Sequence, residues 1–421
     1  MLNLIYVNFI YPGEVNGLPQ KRIITSLDIG TSTTKVIVGE LDRDGNVNII
    51  GIGQSKSLGL RKGTIVDLDS TVRSIVEAVQ QAERMIGIEI PSVFVGIPAA
   101  HVQMLKNRGV VAVSGEDKEI TEYDYERVLQ AAKVVAIPPE REIIQTIPLN
   151  FIVDGYDGIK DPVGMIGVRL EVEALILTAT STVLRNIKKC VERAGLTVEN
   201  FILNTLAAGE VALSADEKEL GAILVDIGGG TTELAIFQNS NLVDKIVLPI
   251  GGDHITSDIS KGLRIPLVEG EKIKLRYGSA LYRDEERSFE ITTVGKEKVS
   301  VSTQKLTDII EPRVQEIFYL IKKELLKLGY NEVLPGGIVL TGGVAALPGI
   351  AEVAQAQLGG NVRIYQPQFI GVADPSFSTG TGIIEYVKNN DLQGSVPVKS
   401  NKVIGFGLLA KLKELFNDFF R

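Results

Sequence analysis

Thiol and imidazole chemistry is almost absent from this chain. One cysteine, Cys190, stands among 421 residues, which excludes a disulfide framework and fits a reducing compartment. It lies in a stretch of helical spacing, 182–193, where a buried and unreactive thiol is expected. Two histidines, His101 and His254, complete the set, so neither a zinc site nor a Cys–His pair can be assembled. His254 follows Gly251-Gly252-Asp253 ahead of an expected helix and reads as a capping or solvated side chain. Long apolar runs are missing too, since none reaches the roughly 18 to 20 residues that span a bilayer. Residues 1–11 are apolar and aromatic but lack the basic segment and cleavage site of a signal peptide. Pro12-Gly13 and Asn16-Gly17 break that run, and residues 1–20 are expected to form a disordered extension. There is no basic stripe and the net charge is −8, so nucleic acid is not an expected partner.

What the chain does have is 44% hydrophobic residues and a mean hydropathy of +0.17, the composition of well-filled cores in about two to four domains. Its organising feature is Val225-Asp226-Ile227-Gly228-Gly229-Gly230-Thr231-Thr232-Glu233, with a buried run before it and an alternating run after it. That pattern reads as two strands joined by a glycine turn. Successive glycines leave backbone N–H groups open to a phosphate, and an aspartate ending a buried strand needs a partner such as a solvated cation. An ordinary glycine hairpin has the same signature. A second copy, Asp28-Ile29-Gly30-Thr31-Ser32-Thr33-Thr34, matches five of seven positions. Each copy is flanked by strands, followed by a third strand (48–52 and 245–250) and then by a helical stretch (70–85 and 253–261). This duplication predicts an α/β protein of two like domains facing each other across one cleft.

Between the copies the texture changes. Alternation at 110–113, helical spacing at 121–135 and strand-like residues at 143–153 predict a small inserted α+β block, and 174–180 reads as a return to a core strand. Residues 266–313 read as a subdomain beside the cleft and 312–329 as a long amphipathic helix. A buried strand then ends at Gly342-Gly343, where either a tight turn or close approach of backbone to a planar ligand accounts for the glycines. A polar linker leads to the tail. There Leu408, Leu409, Leu412, Leu415, Phe416, Phe419 and Phe420 fall within an arc of about 140° at helical spacing. Phe406 joins this apolar set, and the segment from Lys402 onward has four basic and two acidic residues. A tethered, basic amphipathic helix can lie in a membrane interface among anionic headgroups, or pack on a protein surface.

The three glycine turns, in this order, resemble the phosphate and adenosine motifs of the actin/Hsp70/sugar-kinase ATPase superfamily. Within it the chain resembles the FtsA family of bacterial cell-division proteins over roughly 22–388 and the tail. Glu217-Lys218-Glu219-Leu220-Gly221, Pro249-Ile250-Gly251-Gly252, Thr256-Ser257-Asp258-Ile259, the run from Glu271 to Gly278 and Asp374-Pro375-Ser376-Phe377 carry the specific likeness. The resemblance implies duplicated actin-like (ribonuclease H-like) domains, an inserted subdomain and ATP with Mg2+ as cofactors. By motif, Gly30, Thr31, Ser32 and Lys35 would bind phosphate, and Asp28 and Asp226 would hold the water shell of the magnesium. Gly228, Gly229, Gly230 and Thr231 would wrap the terminal phosphates, Glu271 and Lys274 would reach the ribose, and Gly342 and Gly343 would pass along the adenine. It also implies actin-like self-assembly, capture of the FtsZ C-terminal tail and recruitment of later division proteins. The implied location is the cytoplasmic side of the membrane at the division site.

On this reading residues 21–100, 174–204 and 370–388 form the first actin-like domain and 101–173 the insertion. Residues 205–251 and 311–369 form the second domain, 252–310 its subdomain and FtsZ site, 389–404 a linker and 405–421 the membrane helix. Two departures stand out: Val344 replaces the third glycine of the adenosine motif, and Asn204 stands where many relatives carry a glutamate. An amide cannot take a proton as a general base, so slow hydrolysis is expected and no catalytic residue is assigned. The rivals are a small-molecule kinase of the same superfamily and an actin-like ATPase of another membrane assembly, such as a pilus platform.

Overall fold

The computed structural model describes residues 22–282 and 287–392. The expected extension at 1–20 and the amphipathic segment 405–421, with Phe406 to Phe420, lie outside the described residues.

Two five-stranded sheets repeat one topology. In the first, the order is Thr197–Leu203, Ser92–Ile97, Arg22–Ile29, Thr33–Leu41, Val47–Lys56. In the second it is Val362–Ile364, Ile338–Thr341, Ala222–Ile227, Thr232–Gln238, Asn241–Leu248. Each is an antiparallel three-strand meander extended by parallel strands from later in the chain. The central strands are near-continuous apolar runs because both their faces are covered, and Ala222–Ile227 is buried at all but Asp226. The register sets Asp28 opposite Lys35 and Asp226 opposite Glu233.

Helices form where capping chemistry and apolar spacing coincide. Leu68–Ile86 starts on Asp67, whose carboxylate accepts from the N–H groups of Asp69 and Ser70, and stops at Gly87 with φ 74°. Cys190 is buried in the helix Ser181–Arg193, and Gly251 N–H donates to His254 Nδ1 at 3.2 Å, as the capping reading predicts. The helices Asn204–Ala212 and Ser378–Asn389 fill the space between the sheets. One apolar cluster contains Ile24 and Ile37 of the first sheet, Leu224 and Val339 of the second, and Leu206, Ile383 and Ile384 of these helices. The two halves therefore share a core below the cleft.

The insertion is a four-stranded antiparallel sheet, ordered Val102–Ala112, Arg169–Thr180, Arg141–Val153, Tyr156–Ile159, with the helix Glu122–Ala132 on its face. Residues 174–180 do not return to the core sheet. They continue Arg169–Thr180, hydrogen-bonded on both sides within the inserted sheet. A strand buried on two faces has the same apolar signature in either sheet, so its sequence could not assign it. The helix expected at 312–329 also starts earlier, as Thr303–Lys327. The Ser302 hydroxyl accepts from Lys305 N–H at 3.2 Å and caps it, while Pro312 sits inside the helix and leaves it one backbone hydrogen bond short.

The tightest contact between the helices in the shared core is at Gly382, where a Cβ would stand 2.1 Å from the Ala207 carbonyl oxygen. Backbone cannot move aside as a side chain can. Gly382→Ala is expected to cost about 1–3 kcal/mol of unfolding free energy. Gly295→Ala, whose methyl would meet only Thr293 Oγ1 at 3.7 Å, should stay within about 0.5 kcal/mol of the parent. Urea unfolding followed by circular dichroism checks both.

Candidate functional site

The two turns at the sheet ends close identically. Gly30 N–H donates to the Thr33 carbonyl at 3.1 Å, and Gly228 N–H to the Thr231 carbonyl at 2.9 Å. They also face each other in contact. A Cβ on Gly229 would lie 1.9 Å from Ser32 Oγ, and one on Gly230 would lie 2.9 Å from Thr31 Cγ2. A side chain at either position would have to displace Ser32 or Thr31 of the first turn. Ser32 Oγ donates to Asp253 Oδ1 at 3.3 Å, and Gly63 N–H donates to Thr31 Oγ1 at 3.0 Å.

Behind the turns opens a cleft of about 570 Å³. Asp28, Gly30, Thr31, Ser32, Lys35, Asp226, Gly228, Gly229, Thr231, Glu271, Lys274, Gly342 and Gly343 all line it. Gly230 does not; it is turned against Thr31 and Lys62. Lys274 Nζ pairs with Glu271 Oε2 at 2.7 Å and donates to Gly252 O and Thr256 Oγ1 at 3.2 and 2.9 Å. The two glycines at 342 and 343 divide the alternatives open for them. Gly342 has φ 84° and lies against the Ile227 carbonyl, so the turn demands it. A Cβ on Gly343 would meet only Ser376 Cβ at 3.7 Å, so the fold leaves that position free to border a ligand. Val344 is buried and its Cγ2 would be 2.8 Å from a Cβ on Gly252, filling part of this wall.

The electrostatics centre on two carboxylates. Burial raises Asp28 above the ordinary range, with Lys35 opposing. Asp226 is pushed up to about 6 by burial and by Asp28, although Thr341 Oγ1 donates to its Oδ2 at 3.2 Å. Burial draws Lys35 down from its ordinary value against Asp28, Asp374 and Asp226. Its ammonium donates to the Ser376 carbonyl and lies 4.9 Å from the Phe377 ring centroid. Among the described residues no cluster of three or more His, Cys, Asp or Glu side chains could hold a metal. Two partly buried, mutually repelling carboxylates at the cleft suit a hard cation that keeps most of its water, as Mg2+ does.

Sequence reasoning missed three contributors. Glu233 lines the cleft, is 7% exposed and is pushed up to about 7 by burial and by Asp226, although it accepts from Ala99 N–H at 3.0 Å. Its signal was available: a glutamate opening an otherwise apolar strand, opposite Asp226. Asp374 and Ser376 also line the cleft, with Asp374 Oδ1 accepting from Ser376 N–H at 2.8 Å. Asn204 lines the cleft too, and its Oδ1 is a buried acceptor with no partner.

The sequence matches the model of the cell division protein FtsA over residues 223–382 and that of the SHS2 domain inserted in FtsA over residues 99–178. It is 49% identical over 377 residues to the cell division protein FtsA of Bacillus subtilis (strain 168), covering 89% of this chain and 85% of that protein. Identity to the Neisseria meningitidis protein of the same name is 40% over 415 residues, covering 95% and 99%. To the Escherichia coli (strain K12) protein it is 37% over 402 residues, covering 92% and 95%. Among solved structures, the PilM–PilN type IV pilus biogenesis complex aligns with a TM-score of 0.60 at 17% identity, over 88% of this chain and 99% of that one. MreB5 of Spiroplasma citri bound to ADP aligns with a TM-score of 0.55 at 17% identity, over 89% and 100%. These structural likenesses establish the actin-like fold.

Because the folded-state value for Asp226, about 6, exceeds its ordinary 3.8, the folded protein holds an extra proton between them. Stability from this group therefore falls as pH rises through that window and stays reduced above it. With chelator present, Asp226→Asn is expected to be more stable than the parent at pH 7.5, by about 1–3 kcal/mol, with the gain fading towards pH 4. Denaturant unfolding at the two pH values checks the sign.

Proposed function

The chain belongs to the FtsA family of bacterial cell-division proteins, and from that premise we propose that it is an ATP-binding, polymerising adaptor. It tethers FtsZ filaments to the inner face of the cytoplasmic membrane at the division site and helps recruit later division proteins. The observation that carries the nucleotide part is the pair of touching glycine turns beside two carboxylates, Asp28 and Asp226, that line one cleft.

In this reading Asp28 and Asp226 hold the hydration shell of Mg2+, and Lys35 with the N–H groups of both turns meets the phosphates. When bound, the ion neutralises phosphate charge. Glu271 and Lys274 are positioned by their ion pair for the ribose. Gly343 leaves space for the base, and Val344 narrows it. Hydrolysis is slow: Asn204 can orient water but takes no proton, and the Glu233 oxygen Oε2 is engaged by the Ala99 amide. The FtsZ tail binds residues 252–310, later division proteins bind the insertion, and copies of the chain bind one another in a filament. The basic amphipathic segment 405–421 supplies the membrane contact through its leucines and phenylalanines.

One sedimentation series with anionic liposomes separates these parts. The full chain is expected to pellet, to carry FtsZ with it, and to stay in solution when 405–421 are removed; pelleting insensitive to that truncation overturns the membrane claim. By calorimetry Lys35→Ala should weaken Mg-ATP binding about tenfold or more. Turnover well above about one per minute would contradict slow hydrolysis.

A further inference from the structure

The entry to the inserted sheet is held from the second domain in an unusual way. Ala99 is fully buried and opens the short turn Ala99–His101 that feeds the strand Val102–Ala112. Both polar groups of Ala99 meet side chains of the other half, and its carbonyl also accepts from Val102 N–H. Its N–H donates to Glu233 Oε2 at 3.0 Å, and its carbonyl accepts from Lys245 Nζ at 2.9 Å. The two side chains share one face of the second sheet, because Glu233 opposes Val247 and Lys245 opposes Ala235, a diagonal pair of opposite charge. Glu233 and Pro98 line the nucleotide cleft. Lys245 instead borders a separate cavity with Val102, Gln103 and Met104.

The junction is stiff on its other side. Arg141 Nη2 donates to the carbonyls of His101 and Thr178 at 3.1 and 2.6 Å, joining the ends of three inserted strands. A second connection runs from the first phosphate turn: Thr31 Oγ1 accepts from Gly63 N–H, and His101 Nε2 lies 3.1 Å from the Gly63 carbonyl. Ala99 is thus tied through His101 and Arg141 to three strands of the inserted sheet, and both turns border its attachment.

We propose that Glu233 and Lys245 form a latch on the Ala99 peptide that couples occupancy of the cleft to the docking of the inserted sheet. The coupling rests on the nucleotide reading above; the latch itself does not. A ligand drawn between the two turns fixes the strand that bears Glu233 and lowers the frequency with which the latch opens. Lys245 is a positioning residue, remote from the cleft lining, and its removal separates coupling from binding.

The test is amide hydrogen exchange of the full chain by mass spectrometry, over residues 99–105 and 169–180, with Mg-ATP binding followed by calorimetry on the same preparations. Without nucleotide, Lys245→Met is expected to speed exchange at 99–105 about tenfold, and Lys245→Arg to restore much of the protection. With Mg-ATP, the parent is expected to slow at both segments by about fivefold or more, and Lys245→Met to bind Mg-ATP yet lose most of that slowing. Unchanged exchange in nucleotide-free Lys245→Met overturns the latch, whatever the cleft binds. Calorimetric binding with no slowing in the parent overturns the coupling alone. If calorimetry finds no binding to the parent, the nucleotide reading and the coupling both fall, and the first arm still decides the latch.

Discussion

Two like charges brought together in a buried place organise this molecule. Asp28 and Asp226 end the central strands of two sheets, and each is raised above the ordinary carboxylate range by burial. Such a pair is unfavourable unless a cation is close, and Lys35 supplies one that is itself destabilised by the same burial. The surrounding architecture keeps the arrangement in place. The central strands are buried in the residues leading up to the acids, and the helices Asn204–Ala212 and Ser378–Asn389 weld the two halves into one core. The cleft is therefore held partly assembled at a cost in local electrostatics, as binding sites for charged ligands commonly are.

The duplicated fold was legible because a strand, a glycine turn and a second strand leave a pattern dense in chemically constrained residues. Asp, Gly and Thr at fixed positions each have a separate physical reason to be there, and a second copy repeats all of them. The same applies to the cleft, where the motif residues converge apart from Gly230. What was not legible was partnership. Residues 174–180 announce a doubly covered strand but not which sheet covers it. Pro312 read as a helix start, when the Ser302 cap set the start nine residues earlier, at Thr303. Glu233 was in plain view within the quoted motif, yet its contact with Ala99 spans 134 residues of chain, and no local periodicity reports a contact of that separation.

The insertion shows how the same frame takes on new contacts without disturbing the old ones. Its sheet has its own apolar cluster, including Val128, Leu170, Val172 and Ile176. It joins the parent domain through polar contacts around Ala99, His101 and Arg141 and through Val102, Leu175, Leu177 and Ala179, which belong to the core shared by the two halves.

The turns at the centre of the cleft carry one more implication. The copies agree at five of seven positions and differ where Thr31 and Ser32 face Gly229 and Gly230. Those are the positions at which the two turns touch: Ser32 enters the space left by Gly229, and Thr31 the space left by Gly230. A perfectly symmetrical pair would either collide, with side chains on both faces, or leave a void, with glycines on both. The divergence between the copies is thus a broken symmetry with a steric cause. Two halves built on one motif fit against each other because one carries side chains where the other has glycine.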